Sequence, residues 1–453
     1  MADARGERGH PAARDPAVAA RPARPGQARP SRTERNAVTT HVFEPDGGID
    51  ADRWPDVAAV PRCSPVRQAI ARAIVLRALR RLPLRVRLGD AEEFGARGPL
   101  LVVRAPDAFL RRIAVGGLIG FGESYLAEEW DADDLVGVLG VLARHAATLV
   151  PAPLQRLRGL WAPRQPDAQR NTLTGARANV HRHYDLSNDL FALFLDETLS
   201  YSSAVFDRSR GSWRELPAAQ RRKIDRLLDL CGVTEGSKVL EIGTGWGELA
   251  IRAAARGAVV HSVTLSAEQR ELARERVRAA GFADRVRVEL CDYRQVTGRY
   301  DAVVSVEMIE AVGAEYWPAY FRALETLLAP GGRVALQAIT MPHDRMRASA
   351  DTHTWIQKYI FPGGLIPSLR AIEETAAAHT SLRVTAREGY GSHYAETLRL
   401  WRERFAQQAA YVDELGFDAT FRRMWTFYLA YSEAGFRSGY LDVQQIQLSG
   451  GPS

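Results

Sequence analysis

The sequence predicts an α/β protein: a doubly wound, mostly parallel sheet preceded by a smaller α/β domain. Three observations carry this reading. From about residue 172 onward, short apolar runs alternate with helical patterns, which is the signature of a parallel sheet with crossover helices. A glycine-punctuated turn, Gly243-Thr244-Gly245-Trp246-Gly247, joins the first of these runs to the first of these helices. Ahead of them, the apolar run 100–103 sits among helical patterns of its own.

Taken in order, residues 1–45 are rich in Ala, Arg, Pro and Gly without hydrophobic period, and read as a disordered basic tail. Residues 46–150 form the N-terminal domain. Within it, residues 63–88 hold seven Arg and no acidic residue. Val66, Ile70, Ile74 and Val75 recur there at helical spacing, with Leu79 and Leu82 beyond. Such a basic amphipathic helix either lies on an anionic bilayer or packs its apolar stripe on its own domain. A strand is expected at 100–103 and helices at 106–115 and 132–145, with the glycine-punctuated stretch 117–125 between them. Residues 151–171, with Pro, Arg and Gln, read as a linker, and residues 172–453 as the second domain. Its strands are expected at 238–242, 259–265, 286–290, 302–306 and 333–339, and its helices at 248–256, 267–280 and 317–328. Ligands in such sheets bind beyond the carboxyl ends of the strands.

Composition narrows the classes. The 46% hydrophobic share is ordinary for a globular chain. Net charge is +6, and only three of sixty basic residues are Lys, an Arg bias that reads partly as codon usage. A modest positive charge favours anionic surfaces such as phospholipid. Three scattered cysteines, Cys63, Cys231 and Cys291, give no disulfide framework, no CxxC pair and no metal site, and point to a reducing, cytoplasmic setting. No apolar run approaches the ~20 residues of a membrane span, and the start of the chain lacks a signal-peptide core. An enzyme of this kind acting on membrane lipid would work peripherally, from the surface. Nothing resembles a base-flipping site for nucleic acid.

The chemistry-bearing segments fall at strand ends. Val239-Leu240-Glu241-Ile242 runs into Gly243, Gly245 and Gly247, and the GxGxG spacing differs from the GxGxxG of nicotinamide enzymes. It resembles the first motif of S-adenosylmethionine (SAM) methyltransferases. Thr264, Leu265 and Gln269 follow the second strand, where nucleotide-binding folds contact ribose or adenine. Asp292 and Tyr293 follow the third: the Asp can accept from an adenine amino group and the Tyr can stack on the ring, whereas the plainer reading of Asp292 is a helix cap. Upstream stand His183-Tyr184-Asp185-Leu186-Ser187-Asn188-Asp189 and Tyr201-Ser202-Ser203. Downstream stand Glu307-Met308-Ile309-Glu310-Ala311-Val312-Gly313, the aromatic stretch 355–364 and His393-Tyr394-Ala395-Glu396.

In this order the motifs resemble the cyclopropane-fatty-acyl-phospholipid synthase family, strongly over 172–445. They are most similar to its actinobacterial branch, associated with methyl-branched fatty acids of the tuberculostearic type. The resemblance implies a class I, Rossmann-like SAM methyltransferase domain, with SAM held by Tyr201, Ser202, Glu241, the three glycines, Thr264, Leu265, Gln269, Asp292 and Tyr293. It also implies a bicarbonate ion beside the SAM methyl group. Two of the family's holders match Glu310 and Tyr394. The other two, usually Cys and His, are Ser203 and Gln337 here, and the His that usually follows the Glu is Ala311. Gln donates to an anion but cannot titrate. The ion site is therefore altered; the alternative is that Glu310, together with Glu307, acts directly. If both glutamates sit on one helical face, the plain reading is a solvated face.

The implied reaction is methyl transfer to the cis double bond of an unsaturated acyl chain, leaving a carbocation from which a base removes a proton. Ring closure gives a cyclopropane; a prior hydride shift gives an exocyclic methylene, which a partner reductase would convert to a methyl branch. The N-terminal domain and basic helix favour an acyl chain on a phospholipid over one on a carrier protein. The rival readings are a small-molecule methyltransferase and a SAM-binding protein without turnover. A homodimer is left open.

Overall fold

In the computed structural model, the described residues are 48–146, a few positions between 166 and 179, and 187–450 apart from 209 and 351. The tail at 1–45, most of the linker and the His183–Leu186 half of the upstream motif lie outside them. Residues Ile49–Ser453 belong to one compact unit.

The N-terminal part builds a four-stranded sheet from β1 (Arg85–Leu88), β2 (Phe94–Gly95), β3 (Leu100–Val103) and β4 (Trp130–Ala132), ordered β2-β1-β3-β4. Helices Pro65–Leu79, Pro106–Gly116, Leu118–Leu126 and Leu135–Arg144 surround it. The glycine-punctuated stretch is thus itself a helix, despite the ~1 kcal/mol each glycine costs there. Close packing explains it: a Cβ on Gly120 would sit 2.0 Å from the Arg112 carbonyl oxygen, and one on Gly122 would sit 2.4 Å from the Trp355 ring. Arg112, 1% exposed, anchors this region by donating to Glu129 Oε1 and to the carbonyls of Asp56 and Val57 at 2.6–2.7 Å.

The second sheet has seven strands: β5 (Lys238–Ile242), β6 (Val259–Thr264), β7 (Val286–Leu290), β8 (Tyr300–Val306), β9 (Leu328–Thr340), β10 (Leu382–Gly389) and β11 (Asp442–Gly450). Their order is β10-β11-β9-β8-β5-β6-β7. β7, β6, β5, β8 and β9 pair in parallel, and β11 is antiparallel to both neighbours. One face packs on helices Leu216–Leu230, Glu248–Ala255 and Ala267–Ala279. The other packs on Trp317–Leu327 and Leu369–His379. β5, inside the sheet and covered on both faces, reads as an apolar run, whereas the edge strand β7 is marked by alternation, with Val286 and Val288 turned inward and Arg287 outward.

Two long helices, Gly391–Gln407 and Ala419–Arg437, join the sheets. Phe427 of the second packs against Tyr125, Trp130 and Trp355, at ring-centroid distances of 5.2, 6.3 and 4.7 Å. A single apolar cluster therefore runs from Trp54 to Val443.

Candidate active site

The carboxyl ends of β5–β9 open onto one large cavity of about 1280 Å³. Gly243, Gly245, Thr264, Leu265, Gln269, Asp292 and Tyr293 line one end, and Tyr201, Ser202 and Glu241 lie alongside. Of the residues expected to hold the cofactor, Gly247 alone does not face the cavity. It caps helix Glu248–Ala255 in the left-handed region (φ +91), where a Cβ would meet Ala273 at 3.2 Å. Gly245 (φ +53) has open space where a side chain would be, and a Cβ on Gly243 would strike Met308 at 2.8 Å. The turn is fixed from behind: Trp246 Nε1 donates to Asn188 of the upstream motif at 2.8 Å, and Arg276 donates to the Trp246 carbonyl at 2.7 Å. Ser262 Oγ bridges Glu241 and Thr244 at 2.5 and 2.7 Å. Burial pushes the Glu241 carboxyl up to about 8. Ser266 caps helix Ala267–Ala279 on the Gln269 N–H, and Gln269 Oε1 accepts from Thr264 at 3.0 Å. Asp292 both caps the turn Tyr293–Gln295 and accepts from Arg294 through both oxygens. A carboxylate has about four acceptor positions, so it retains room for a further donor.

The middle of the cavity is lined by Glu307, Glu310 and Tyr394. Glu307 follows β8 at φ +52, an uncommon conformation for a side chain other than Gly. Its carboxylate is buried and accepts three hydrogen bonds: from the Ser203 backbone N–H at 2.9 Å, from Gln337 Nε2 at 2.8 Å and from Tyr394 Oη at 2.7 Å. Ser203 and Gln337 do not reach the cavity; they stand behind Glu307. The Gln337 amide is oriented in turn by Gln445 Nε2, which donates to its Oε1 at 3.1 Å. Burial raises the Glu307 carboxyl above its ordinary range, opposed by these donors and by the cation of Lys223. Glu310 lies in the short helix Ile309–Val312, and its Oε1 accepts from the Ile339 N–H. Its Oε2 is buried without a partner. Burial, and the charge of Glu307 beside it, push Glu310 up to about 8, so it is protonated at neutral pH. The solvated-face reading fails for both glutamates.

Lys223 was not anticipated. It is 2% exposed, donates to Ser202 Oγ at 2.6 Å and is brought down to about 8 by burial, against the pull of Glu307, Asp196 and Glu241. Its rarity was the available signal: a chain that otherwise uses Arg keeps a compact ammonium here.

Towards its other end the cavity is apolar, lined by Trp355, Ile356 and Phe361, then Phe121, Leu142 and Leu118, and by Ile70 of helix Pro65–Leu79.

The fold and this cavity define a SAM-dependent methyltransferase of class I architecture acting on an apolar substrate. Residues 171–446 match the mycolic acid cyclopropane synthetase family, and the chain belongs to it. It is 58% identical over 416 residues to the tuberculostearic acid methyltransferase UfaA1 of Mycobacterium tuberculosis, covering 89% of this chain and 97% of that protein. It is 32% identical over 362 residues to the cyclopropane-fatty-acyl-phospholipid synthase of Escherichia coli K12, covering 77% and 87%. Among solved structures it resembles the mycolic acid cyclopropane synthase CmaA1 complexed with SAH and CTAB. The TM-score is 0.55 at 31% identity, covering 63% of this chain and 98% of that one.

The residues expected to hold SAM offer features that fit that cofactor: an open glycine turn, buried acceptors and a buried tyrosine at one end of the cavity. The expected bicarbonate does not fit. Three of its four expected holders donate to Glu307, and an ion placed among them would meet a second negative charge with those donors already engaged.

Proposed function

We propose that this chain transfers the SAM methyl group to the cis double bond of an oleoyl-type chain carried on a phospholipid, yielding a methylene-branched acyl chain. The observation that carries this is one cavity reaching from the glycine turn, past two glutamates, to an apolar end beside a basic helix. Bound SAM supplies an electrophilic methyl to the alkene. The chain's own part is to align the two reactants and keep water from the cation. The similarity to UfaA1 favours methylenation; the cyclopropane remains the alternative product. Conversion of methylene to methyl needs two electrons, hence a separate reductase.

The apolar end supports a peripheral membrane enzyme. Ile70 (56% exposed) and Leu118 (69%) border the cavity, and Val66 (70%) extends this patch. Arg67, Arg72, Arg77, Arg80 and Arg81 are exposed around it. Apolar residues ringed by cations suit an anionic bilayer, from which a chain can enter without crossing water. No helix among the described residues is long and apolar enough to cross a membrane.

The test is incubation with SAM and anionic oleoyl-phospholipid vesicles, followed by mass spectrometry of the derivatised fatty methyl esters. A methylene at the former double bond supports the proposal, and a cyclopropane selects the alternative product. Turnover only on a carrier-bound chain, or on none, refutes the phospholipid reading.

A further inference from the structure

The geometry points to Glu307 as the catalytic base of this reaction, a carboxylate built into the chain at the place where the family resemblance implies a bicarbonate ion. The inference rests on the functional reading above. Its first support is convergence. Ser203, Gln337 and Tyr394, the expected ion holders from three separate segments, all point donors at one carboxylate. Its second is position. Ser203 and Gln337 are screened from the cavity, whereas Glu307 lines it together with Glu310 and Tyr394. Its third is strain. A glutamate at φ +52 is strained where glycine would not be, and such strain clusters at functional sites. Bicarbonate and a glutamate side chain present the same planar pair of oxygens, so one set of donors serves either.

Glu307 and Glu310 then divide the roles. Glu310, with one oxygen unpartnered, is pushed up to about 8 by burial and by Glu307 beside it, whereas Glu307 is held by three donors and by the cation of Lys223, environments suited to different tasks. The methylated acyl cation loses a proton from its new methyl group, directly or after the hydride shift. The C–H electron pair becomes the third ring bond or the exocyclic double bond. The proton goes to a Glu307 oxygen and passes to water when product leaves, restoring the carboxylate. Gln337 and Gln445 are positioning residues: they fix the donor that aims Glu307.

The test compares wild type with Glu307→Gly and Glu307→Gln on oleoyl-phospholipid vesicles, in carbonate-free buffer and with added bicarbonate. Wild type should turn over equally in both. Both variants should lose about 100-fold or more, as expected when a general base is removed. Bicarbonate should restore Glu307→Gly at least about tenfold, saturably, because the strain is gone and the three donors face open space. It should leave Glu307→Gln inactive, because the amide still fills that space. SAM affinity by calorimetry should stay within about twofold in all three, which a merely structural loss would not preserve. A wild type that needs added bicarbonate overturns the inference, as does a Glu307→Gln variant with full activity in carbonate-free buffer. A wild type that makes no lipid product in either buffer overturns the functional reading, and the inference with it.

Discussion

Gly122→Ala is a one-carbon perturbation whose effect follows from the packing. The added Cβ would lie 2.4 Å from Trp355 Cδ1 and 2.5 Å from Nε1. Carbon contacts settle near 3.5–4.0 Å, so the ring must retreat by about 1 Å. It is 4% exposed and backed by Tyr359 and Phe427, at centroid distances of 5.3 and 4.7 Å, which leaves the cavity as the direction to yield. Alanine gains up to ~1 kcal/mol over glycine in a helix, and overpacking a dense core costs ~1–3 kcal/mol. With the full alanine gain set against it, the net expectation is a loss of up to about 2 kcal/mol. The same shift narrows the apolar end, so kcat/KM for lipid should fall while SAM affinity holds. Urea denaturation and vesicle turnover measure the two effects. Gly116→Ala is the control: its Cβ meets nothing within 4 Å, and it should be neutral or slightly stabilising. If Gly122→Ala matches the control in both assays, the helix does not press on Trp355 and the close-approach argument is wrong.

Glu310 is raised to about 8, so the fold favours its protonated form. The stability this confers is present below the ordinary carboxylate pKa and is lost as pH rises through 8. The melting temperature should therefore fall from pH 6 to 9 by scanning fluorimetry, and Glu310→Gln should fall less, with Glu241 supplying the remainder. Arg112→Met strands the buried Glu129 carboxylate and two carbonyls, and should cost about 3–5 kcal/mol in urea titrations; wild-type stability would contradict the buried network. Ile70→Asp with Leu118→Asp alters exposed residues, so folding should change by less than ~0.5 kcal/mol. Sedimentation with anionic vesicles should drop at least tenfold (~1.4 kcal/mol), while undiminished sedimentation would place the membrane contact elsewhere.

The parallel half of the large sheet was legible because β5 and β8 carry apolar runs, β6 and β7 carry valines at regular spacing, and the turns after β5, β6 and β7 carry glycine or caps. β11 was not. Asp442-Val443-Gln444-Gln445-Ile446-Gln447-Leu448 reads as polar, yet Gln445 is buried because it completes the Gln337 arrangement. Helices Gly391–Gln407 and Ala419–Arg437 were missed despite their aromatic stripes, since an aromatic segment alone does not declare its partners. The positions of the site were legible through family resemblance, whereas their relation was not. Residues 203, 307, 337 and 394 meet only in three dimensions, and sequence spacing carries no sign that Glu307 stands between Ser203 and Gln337 and the cavity. Of the basic helix, Leu79 packs on its own domain while Val66 and Ile70 stay exposed, so the packing reading holds for one end of the stripe only.

The continuous apolar cluster from Trp54 to Val443 makes the N-terminal sheet something other than a detachable accessory. A chain trimmed to the family-matched segment 171–446 would present Phe427 and its neighbours to water without Tyr125 or Trp130 to cover them. Removing the N-terminal sheet from this chain is therefore a change to the core of the catalytic half as well as the loss of a module.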